Sequence, residues 1–361
     1  DEGRVAHVIP DADYVITLDA DSIINHTYAK RLVGIMEAPG NERIAVAQTP
    51  YSSIPNSPGI LERTAGATTD IQYIIHQGFT RLRSTYWVGA NALLRKQALE
   101  DIAEPIPDQT LVRQYIQDRT VIEDTESSID LVKKGWTLYN YPERLAFSAT
   151  PNDYGSLIIQ RRRWANGGLI ILPKLLAYLL WRPSLKKIPE GFMRIHYLVS
   201  IALVNVGLVI MLFVPLERVG FSPWVPLIAL PYFYLYYRDL RLLGYTFGDW
   251  MHVYALNLLL IPINLGGVLK SIQQIVTGKK IPFGRTPKVD ARTAAPPLYY
   301  VLTYGLVFYC LYLATVDIFA GAYLEAGLIG INSLFIGYAL IYMVGVKAAI
   351  ADITTGGRRL L

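Results

Sequence analysis

The stretch Tyr14-Val-Ile-Thr-Leu-Asp-Ala-Asp21 joins an apolar run to two carboxylates one residue apart. The run from 14 to 18 has the length and composition of a buried strand. A strand that ends in this way brings both carboxylates to the carboxyl edge of a sheet, where ligands of open α/β folds bind. Asp19 and Asp21 can share a hard divalent cation that also bridges phosphate oxygens. Because the motif is short, a loop or cap role stays open.

Strand-like runs alternate with helical patterns through the first 165 residues. The predicted strands are 14–18, 43–48, 86–94 and 136–140. The predicted helices are 27–37, 60–82, 95–102 and 124–134, the last ending at Gly135. Residues 103–122, with Pro105 and Pro107, read as a loop. The alternation predicts an α/β domain over residues 1–165. Since few strands are visible and the acidic motif comes early, we expect this domain to be N-terminally incomplete.

The second half of the chain is apolar. Hydrophobic residues make up 52% of the chain and charged residues only 17%. Residues 153–182 predict a helix with a basic and aromatic side, suited to a membrane surface, so 166–194 are expected to be interfacial. The candidate membrane segments are 195–215, 224–238, 251–268, 297–320 and 324–347. Lysine and arginine cluster between them, as in cytoplasmic loops, which predicts an α-helical transmembrane domain over 195–361.

One of these segments conflicts with the charge pattern. If 251–268 crossed fully, the basic loops at 238–241 and 270–288 would lie on opposite sides of the membrane. Pro262 at its centre favours a segment that bends back, followed by an amphipathic helix over 268–278. We therefore expect four full spans.

Other functional classes find little support in the sequence. The basic clusters do not share a soluble face with exposed aromatic residues, so nucleic acid is not an expected partner. The single Cys310 excludes an internal disulfide and a cysteine-based metal site. The five histidines show no metal-ligand spacing, and the charged start Asp1-Glu-Gly-Arg4 does not read as a signal peptide.

Two further motifs give the acidic pair a chemical context. Glu123-Asp124 opens a predicted helix; alone, it reads equally as carboxylates that complement a helix N-terminus. Gln160-Arg-Arg-Arg-Trp164 alone reads as a basic helix face against lipid headgroups. Together the three motifs can supply a metal-held diphosphate, a carboxylate to deprotonate a hydroxyl, and an arginine–tryptophan pair for phosphate and a sugar ring.

The order and spacing of the motifs resemble those of the membrane-embedded, processive glycosyltransferases of family 2, the family that includes bacterial cellulose synthase. The matching stretches are Asp19-Ala-Asp21, Gln48-Thr-Pro50, Trp87-Val-Gly-Ala-Asn-Ala-Leu-Leu-Arg95, Val121-Ile-Glu-Asp124, Lys134-Gly-Trp136, Gln160-Arg-Arg-Arg-Trp164 and, as a gating loop, Phe283-Gly-Arg-Thr-Pro-Lys288. The resemblance implies a GT-A-type α/β domain followed by transmembrane helices, with the gating loop near 279–290.

On the donor side, the resemblance implies a nucleotide-diphosphate sugar, with UDP-glucose the expected donor. Asp19 and Asp21 would contact the nucleotide and hold a divalent metal, Mg²⁺ or Mn²⁺, on its diphosphate. Arg163 would bind the leaving diphosphate, and Thr286 and Lys288 of the gating loop would close over it.

On the acceptor side, the resemblance implies that Asp124 is the general base that takes the proton from the acceptor hydroxyl. Glu123 would support this site. Gln160 and Trp164 would hold the acceptor end of the growing glycan chain, with Trp164 stacking on a sugar. A single displacement from the face opposite the leaving group would turn an α-linked donor into a β-linked product.

Three functions remain open. The first is an inverting processive synthase of a β-linked polysaccharide that also translocates its product; the second adds one sugar to a lipid-linked acceptor; the third is a non-catalytic subunit. Ile122, Val88 and Ala90 depart from the family pattern, which weakens any assignment to cellulose. Arg285 departs from the pattern of the gating loop, which weakens the contacts expected of that loop. The expected partners are a UDP-sugar, the glycan, membrane lipids and an accessory export subunit. The expected location is the bacterial inner membrane, with the catalytic domain in the cytoplasm.

Overall fold

The computed structural model describes residues 11–54, 57, 59–106, 109–117, 119–181, 183–185, 187–214, 225–279 and 292–360. The gating-loop prediction, with Thr286 and Lys288, lies outside these residues. Within them, the strands form a four-stranded, a three-stranded and a two-stranded sheet. The strands are β1 (Tyr14–Leu18), β2 (Ile23–Ile24), β3 (Ile44–Gln48), β4 (Tyr51–Ser53), β5 (Asn91–Arg95), β6 (Glu104–Ile106), β7 (Gln109–Gln114), β8 (Thr137–Asn140) and β9 (Ala146–Ser148).

The four-stranded sheet, in the order β1-β5-β3-β8, positions the acidic motif. Strand β3 pairs in parallel with β8, and β5 runs antiparallel to both β1 and β3. The strands β1, β3 and β8 therefore end at one edge, beside the start of β5. Asp19 follows β1 at this edge, so the predicted strand 14–18 and its place before the acidic pair are confirmed. The prediction that this strand is buried is wrong: Val15, Ile16 and Leu18 are exposed, because β1 lies at the edge of the sheet that the described residues form. Every residue of β3 is buried, because helices cover both faces of the sheet.

Five helices belong to this first part of the chain. They are α1 (Tyr28–Met36), α2 (Ile60–Arg81), α3 (Lys96–Ile102), α4 (Glu123–Lys133) and α5 (Tyr154–Leu180). Buried residues of α1, including Leu32, pack on one side of the sheet. Buried residues of α3 and α4, including Leu99 and Leu131, pack against Val46 and Leu94 on the other side. As predicted, α4 ends at Gly135, whose φ of +84° places it in the left-handed region.

Two sequence predictions are wrong in this region. The predicted strand 86–94 begins only at Asn91, because the chain bends through Gly89, where φ is +79°. The predicted loop 103–122 contains the antiparallel hairpin of β6 and β7. Pro105 is compatible with this two-stranded ribbon, because a strand at an edge does not need every N–H for pairing.

The second part of the chain is helical. The helices are α6 (Lys187–Phe213), α7 (Leu230–Leu242), α8 (Phe247–Leu259), α9 (Ile261–Thr277), α10 (Pro297–Phe319), α11 (Tyr323–Ala339) and α12 (Val346–Leu360). A short 3₁₀ turn, Val225–Ala229, precedes α7, and a wide helical turn, Leu340–Val344, extends α11.

Three helical stretches in the described residues are long and apolar enough to cross a membrane: Lys187–Phe213, Pro297–Phe319 and Tyr323–Val344. The predicted span 224–238 is not among these three stretches, because α7 has only 13 residues, about 20 Å, against a hydrocarbon core of about 30 Å. The helices α8 and α9 meet at an angle of 48°, and the pair forms a fourth candidate span only if the two helices are counted as one. The bend predicted at Pro262 falls at Leu260, because Pro262 fits the first turn of α9.

Helix α5 packs against both parts of the chain. Its cap is Asp153, which accepts a hydrogen bond from Ser156 N at 2.7 Å and another from Thr293 N at 2.8 Å. A Cβ on Gly267 of α9 would lie 2.7 Å from the carbonyl oxygen of Arg162, so α9 lies directly against α5. The predicted boundary at residue 165 falls inside this helix.

Candidate active site

The acidic pair lies at the carboxyl edge of the main sheet, within reach of solvent. The Asp19 amide donates to Ala90 O at 3.1 Å, and Asp19 O accepts from Ser22 N, which forms a tight turn. The Asp19 side chain is exposed and that of Asp21 is half-buried. Asp21 Oδ1 accepts a hydrogen bond of 3.3 Å from Ser148 Oγ. The turn thus presents two carboxylates to a ligand from outside the sheet.

A segment of irregular chain, residues 83–89, runs behind the site; we call it the backing segment. Gln48, the last residue of β3, donates to Tyr86 O at 2.7 Å and accepts from Val88 N at 3.1 Å. The amide of Trp87 donates to Ser128 Oγ of α4 at 2.9 Å. The matching stretch Gln48-Thr-Pro50 therefore has a clear structural role, because Gln48 fixes the course of the segment that leads to Gly89.

Gly89 connects the two acidic motifs. A Cβ at this position would lie 2.2 Å from Asp124 Oδ2, far inside contact distance. The next residue, Ala90, accepts the hydrogen bond from Asp19. Gly89 contacts Asp124 and Ala90 binds Asp19, so these two consecutive residues link the two aspartates, although Asp19 and Asp124 are distant in sequence. The second oxygen of Asp124, Oδ1, accepts from Thr125 N at 2.6 Å.

The carboxyl group of Asp124 has an unusual environment. Protein surrounds most of the side chain, yet part of it remains open to solvent. Burial raises the pKa of Asp124 from its usual value to about 7, and the neighbouring charge of Glu123 also raises the pKa. The Thr125 amide and the charge of Arg163 act in the opposite direction. A carboxylate that titrates near neutral pH is suited to general-base chemistry.

The arginine–tryptophan helix α5 lies directly against the start of α4. A Cβ on Gly167 would lie 2.4 Å from the side chain of Ile122, the residue before Glu123. Lys174 of α5 binds two carboxylates of α4, Glu126 at 3.0 Å and Asp130 at 2.6 Å. The apolar residue at 122, which departs from the family pattern, therefore fills the contact between the two helices.

Arg161 and Trp164 form a stacked pair on α5. The guanidinium carbon of Arg161 lies 4.6 Å from the centre of the Trp164 ring, and Nη2 donates to Thr68 Oγ1 at 2.7 Å. Burial lowers the pKa of Arg161 to about 10, so the group remains a cation at neutral pH. Gln160 precedes Trp164 by four residues, so both lie on the same side of the helix. Both side chains are partly exposed.

Tyr51 of β4 shows that the motifs converge. Burial raises the pKa of its hydroxyl, and the charges of Asp19, Arg161, Asp124 and Arg163 all act on the same group. These residues come from the turn after β1, from α4 and from α5, yet their charges act on one hydroxyl. Asp21 accepts from Ser148, a residue of β9, the strand that pairs with β4.

Most predicted site residues are therefore brought together. Asp19 and Asp124 are linked through Ala90 and Gly89, and Arg163 is close enough to act on the pKa of Asp124. Glu123 adjoins Asp124, and Trp164 contacts Arg161, whose charge acts on Tyr51 together with those of Asp19 and Asp124. The sequence prediction omitted Tyr51, Gly89, Arg161 and Ser148 as site residues. Tyr51 and Gly89 had a usable signal, since one follows Gln48-Thr-Pro50 and the other lies inside a matching stretch. Ser148 has no local signal.

The residues present fit a metal held jointly with a substrate. Among the described residues, no group of three or more histidine, cysteine, aspartate or glutamate side chains could hold a metal. Asp19 and Asp21 nevertheless offer hard oxygen ligands on an open turn. Magnesium commonly takes one or two carboxylates and completes its shell with water and substrate phosphates.

The structure combines a mixed sheet that has an acidic edge with helices that are long and apolar enough to cross a membrane. Residues 14–237 match the family described as glycosyl transferase family group 2. The chain belongs to this family and is a glycosyltransferase. The predicted fold class, an α/β glycosyltransferase domain followed by a helical region with candidate membrane spans, is confirmed.

Several relatives are cellulose synthases. The chain is 26% identical over 172 residues to the cellulose synthase catalytic subunit [UDP-forming] of Komagataeibacter sucrofermentans, covering 46% of this chain and 21% of that protein. It is 27% identical over 160 residues to cellulose synthase 1 catalytic subunit [UDP-forming] of Komagataeibacter xylinus, covering 43% and 20%. The match thus spans about a fifth of these relatives.

A solved structure is also similar. The mannosyltransferase PcManGT from Pyrobaculum calidifontis, in complex with GDP-Man and Mn²⁺, aligns with a TM-score of 0.44 and 12% identity over 73% of this chain and 63% of that one.

The contact between Gly89 and Asp124 predicts the effect of a methyl group. Gly89→Ala should lower the transfer rate by about 10²-fold, because the new Cβ displaces the carboxylate and the backbone resists the required φ. Released nucleotide measures the rate. Gly78→Ala is the matched control, since a Cβ there meets nothing within 4 Å. A Gly89→Ala protein that works at the wild-type rate would contradict this geometry.

The pKa of Asp124 predicts a pH profile. A base must be ionised, so kcat should rise as pH increases through about 7, where Asp124 loses its proton. Glu123→Gln removes a charge that raises this pKa, and the rising limb should therefore move to lower pH. The measurement is kcat against pH for both proteins. A limb that stays in place in Glu123→Gln would show that another group controls the profile.

Proposed function

We propose that the chain is an inverting, processive glycosyltransferase that builds a β-linked polysaccharide from a nucleotide-diphosphate sugar and passes it across the membrane. The proposed donor is UDP-glucose, in line with the UDP-forming activity for which the two cellulose synthase relatives are named. The observation that carries the proposal is that Gly89 and Ala90 hold Asp124 and the acidic turn at Asp19 together: Gly89 lies against the Asp124 carboxylate, and Ala90 O accepts from the Asp19 amide. The charges of Asp19, Asp124 and Arg163 also act on the hydroxyl of Tyr51.

The proposed donor side consists of the acidic turn and α5. Asp19 and Asp21 would hold a divalent metal, Mg²⁺ or Mn²⁺, which would neutralise charge on the diphosphate as it leaves. Arg163 lies close enough to Asp124 to lower its pKa, so this cation borders the reaction site. The planar guanidinium suits two phosphate oxygens at once. Thr286 and Lys288, which are not among the described residues, would also bind the diphosphate.

Asp124 is the proposed catalytic base. It would accept the proton of the acceptor hydroxyl while that oxygen attacks the anomeric carbon from the face opposite the diphosphate. The C–O bond to the diphosphate breaks as the new glycosidic bond forms, so the configuration inverts. Glu123 would support this role, because its charge raises the pKa of Asp124 toward the working pH. A positioned base contributes about 10²–10⁴-fold to such a rate.

The proposed acceptor side is the exposed face of α5. Trp164 would stack on the terminal sugar of the growing glycan chain, and Gln160, one turn away, would donate or accept hydrogen bonds to its hydroxyl groups. The stacked Arg161 limits the orientations that the Trp164 ring can adopt.

The helical region supports the membrane part of the proposal. Helix α9 lies directly against the helix that carries Trp164, so the acceptor site adjoins the apolar helices. We infer an integral protein of the bacterial inner membrane with its catalytic domain in the cytoplasm, partnered by membrane lipids and an accessory export subunit. Residues 1–165, 166–194 and 195–361 serve as the proposed catalytic, interfacial and transmembrane parts.

The proposal is tested with the complete chain in membranes and a panel of radiolabelled nucleotide sugars. Asp124→Asn should lower transfer by about 10²–10⁴-fold and leave donor binding intact, because only the proton acceptor is lost. Substantial turnover in this variant would refute the base assignment.

The same reactions distinguish processive synthesis from transfer of a single sugar. A processive enzyme gives long products that β-linkage-specific hydrolases degrade. One added sugar on a lipid-linked acceptor would refute the synthase and support the second function. No transfer from any donor would support a non-catalytic subunit.

The metal assignment gives a separate prediction. A chelator should stop transfer, and Asp19→Asn and Asp21→Asn should each weaken Mn²⁺-dependent donor binding in calorimetry, because each removes a carboxylate ligand. Asp13→Asn is the matched control, since Asp13 is an exposed aspartate at the opposite end of β1. Full transfer in the presence of the chelator would contradict a metal at this turn.

A further inference from the structure

Arg194, near the start of α6, has no solvent-exposed surface. Its helix Lys187–Phe213 is the first candidate membrane span. The geometry points to a positioning role: Arg194 fixes the backing segment behind Asp124 and thereby couples this helix to the reacting carboxylate. The inference rests on the proposed function of Asp124 as the base.

The guanidinium of Arg194 makes directed contacts with the backing segment. Nη2 donates to Arg83 O at 2.8 Å and Nη1 donates to Thr85 O at 3.1 Å. The guanidinium carbon lies 5.0 Å from the centre of the Tyr86 ring. In return, the Tyr86 hydroxyl donates to the carbonyl oxygen of Arg194 at 3.4 Å. Three of the residues that precede Gly89 are thus tied to one side chain.

The charge of Arg194 is balanced within the protein. Its Nε donates to Glu190 at 2.8 Å, one turn earlier in α6. Glu190 also accepts from the Tyr178 hydroxyl of α5 at 3.2 Å. A buried guanidinium is costly unless it is paired and hydrogen-bonded, and here the pairing uses groups from two helices. The planar fork of arginine meets two carbonyl oxygens together, which a lysine ammonium cannot do in the same geometry.

The segment that Arg194 binds is conformationally demanding. Arg83 has a φ of +55°, the one positive value among the described non-glycine residues. Such a conformation persists only where surrounding contacts hold it. The carbonyl of this same residue accepts the hydrogen bond from Nη2, so Arg194 stabilises the sharp exit from α2 at the point where the backing segment starts.

Hydrogen bonds hold the rest of the backing segment up to Gly89. Gln48 is hydrogen-bonded to Tyr86 and Val88, and Ser128 of α4 accepts from the amide of Trp87. Gly89 then lies directly against Asp124. If Arg194 is lost, the first residues of the segment lose their partners, and Gly89 no longer defines the position of the carboxylate from behind.

The test uses the complete chain in lipid nanodiscs with Arg194→Met and Arg194→Lys. Arg194→Met should lower kcat by about 10²-fold, because the base is displaced. The donor KM should rise by a smaller factor, because the acidic turn is attached to this part of the chain through Ala90, beyond Gly89. Hydrogen exchange of the amides in 83–89 should become faster. Arg194→Lys should recover part of the rate. Arg63→Met is the control, because Arg63 also joins the two parts of the chain, through Asp249, without touching the backing segment.

The outcomes separate this inference from the proposed function. An active Asp124→Asn protein would overturn the base assignment, whereas normal kcat and normal exchange in Arg194→Met beside an inactive Asp124→Asn would overturn the role of Arg194 alone. Equal losses in Arg63→Met and Arg194→Met would also overturn it. In the Asp124→Asn background, Arg194→Met should cause no further loss of transfer rate.

If Arg194→Met does not fold, Arg194→Lys and Glu190→Gln must show faster hydrogen exchange of the amides in 83–89, or the inference fails.

Discussion

The contact between the backbone of Gly89 and the carboxylate of Asp124 is the constraint on which the site depends. It requires a residue without a side chain, and it requires the chain around Gly89 to be held from several directions. The amide of Gln48 supplies part of this support from the end of a central strand, and α4 supplies the rest through Ser128. The acidic turn is attached to Ala90, the residue after Gly89, through the hydrogen bond from the Asp19 amide. The proposed donor and acceptor groups are therefore attached to the same short stretch of chain.

Strong local patterns in the sequence predicted the elements that carry this site. The run 14–18, the helix with Glu123-Asp124 and the helix with Trp164 were foreseen because periodicity, an acidic first turn and a terminal glycine act within one element. The bend before Asn91 was missed because a positive φ at Gly89 interrupts an otherwise strand-like composition. Ser148 and Arg194 were missed because their importance comes from contacts with distant elements, which no spacing in the sequence records.

Charged and polar side chains join the two parts of the chain. The pair of Arg63 and Asp249 connects α2 to α8, and the Tyr245 hydroxyl donates to buried Asp70 at 2.8 Å. Such contacts are directional and lose much of their energy when displaced, so they define orientation more closely than apolar packing does. Their number at this boundary indicates that the relative placement of the helices and the sheet matters to the protein.

Helix α9 has an unusual distribution of side chains. Small and polar residues such as Gly267 and Ser271 face α5, where Ser271 Oγ donates to Asn166 O at 2.7 Å, whereas Leu269 and Val276 are exposed. Polar residues thus lie on the packed side of α9 and apolar residues on its exposed side, the reverse of a helix on the surface of a water-soluble protein. Helix α5 obtains this partner from a part of the chain far beyond its own end. A fragment that ends before α9 would therefore lose the surface against which α5 packs, so the chain cannot be divided between these helices without exposing that side of α5.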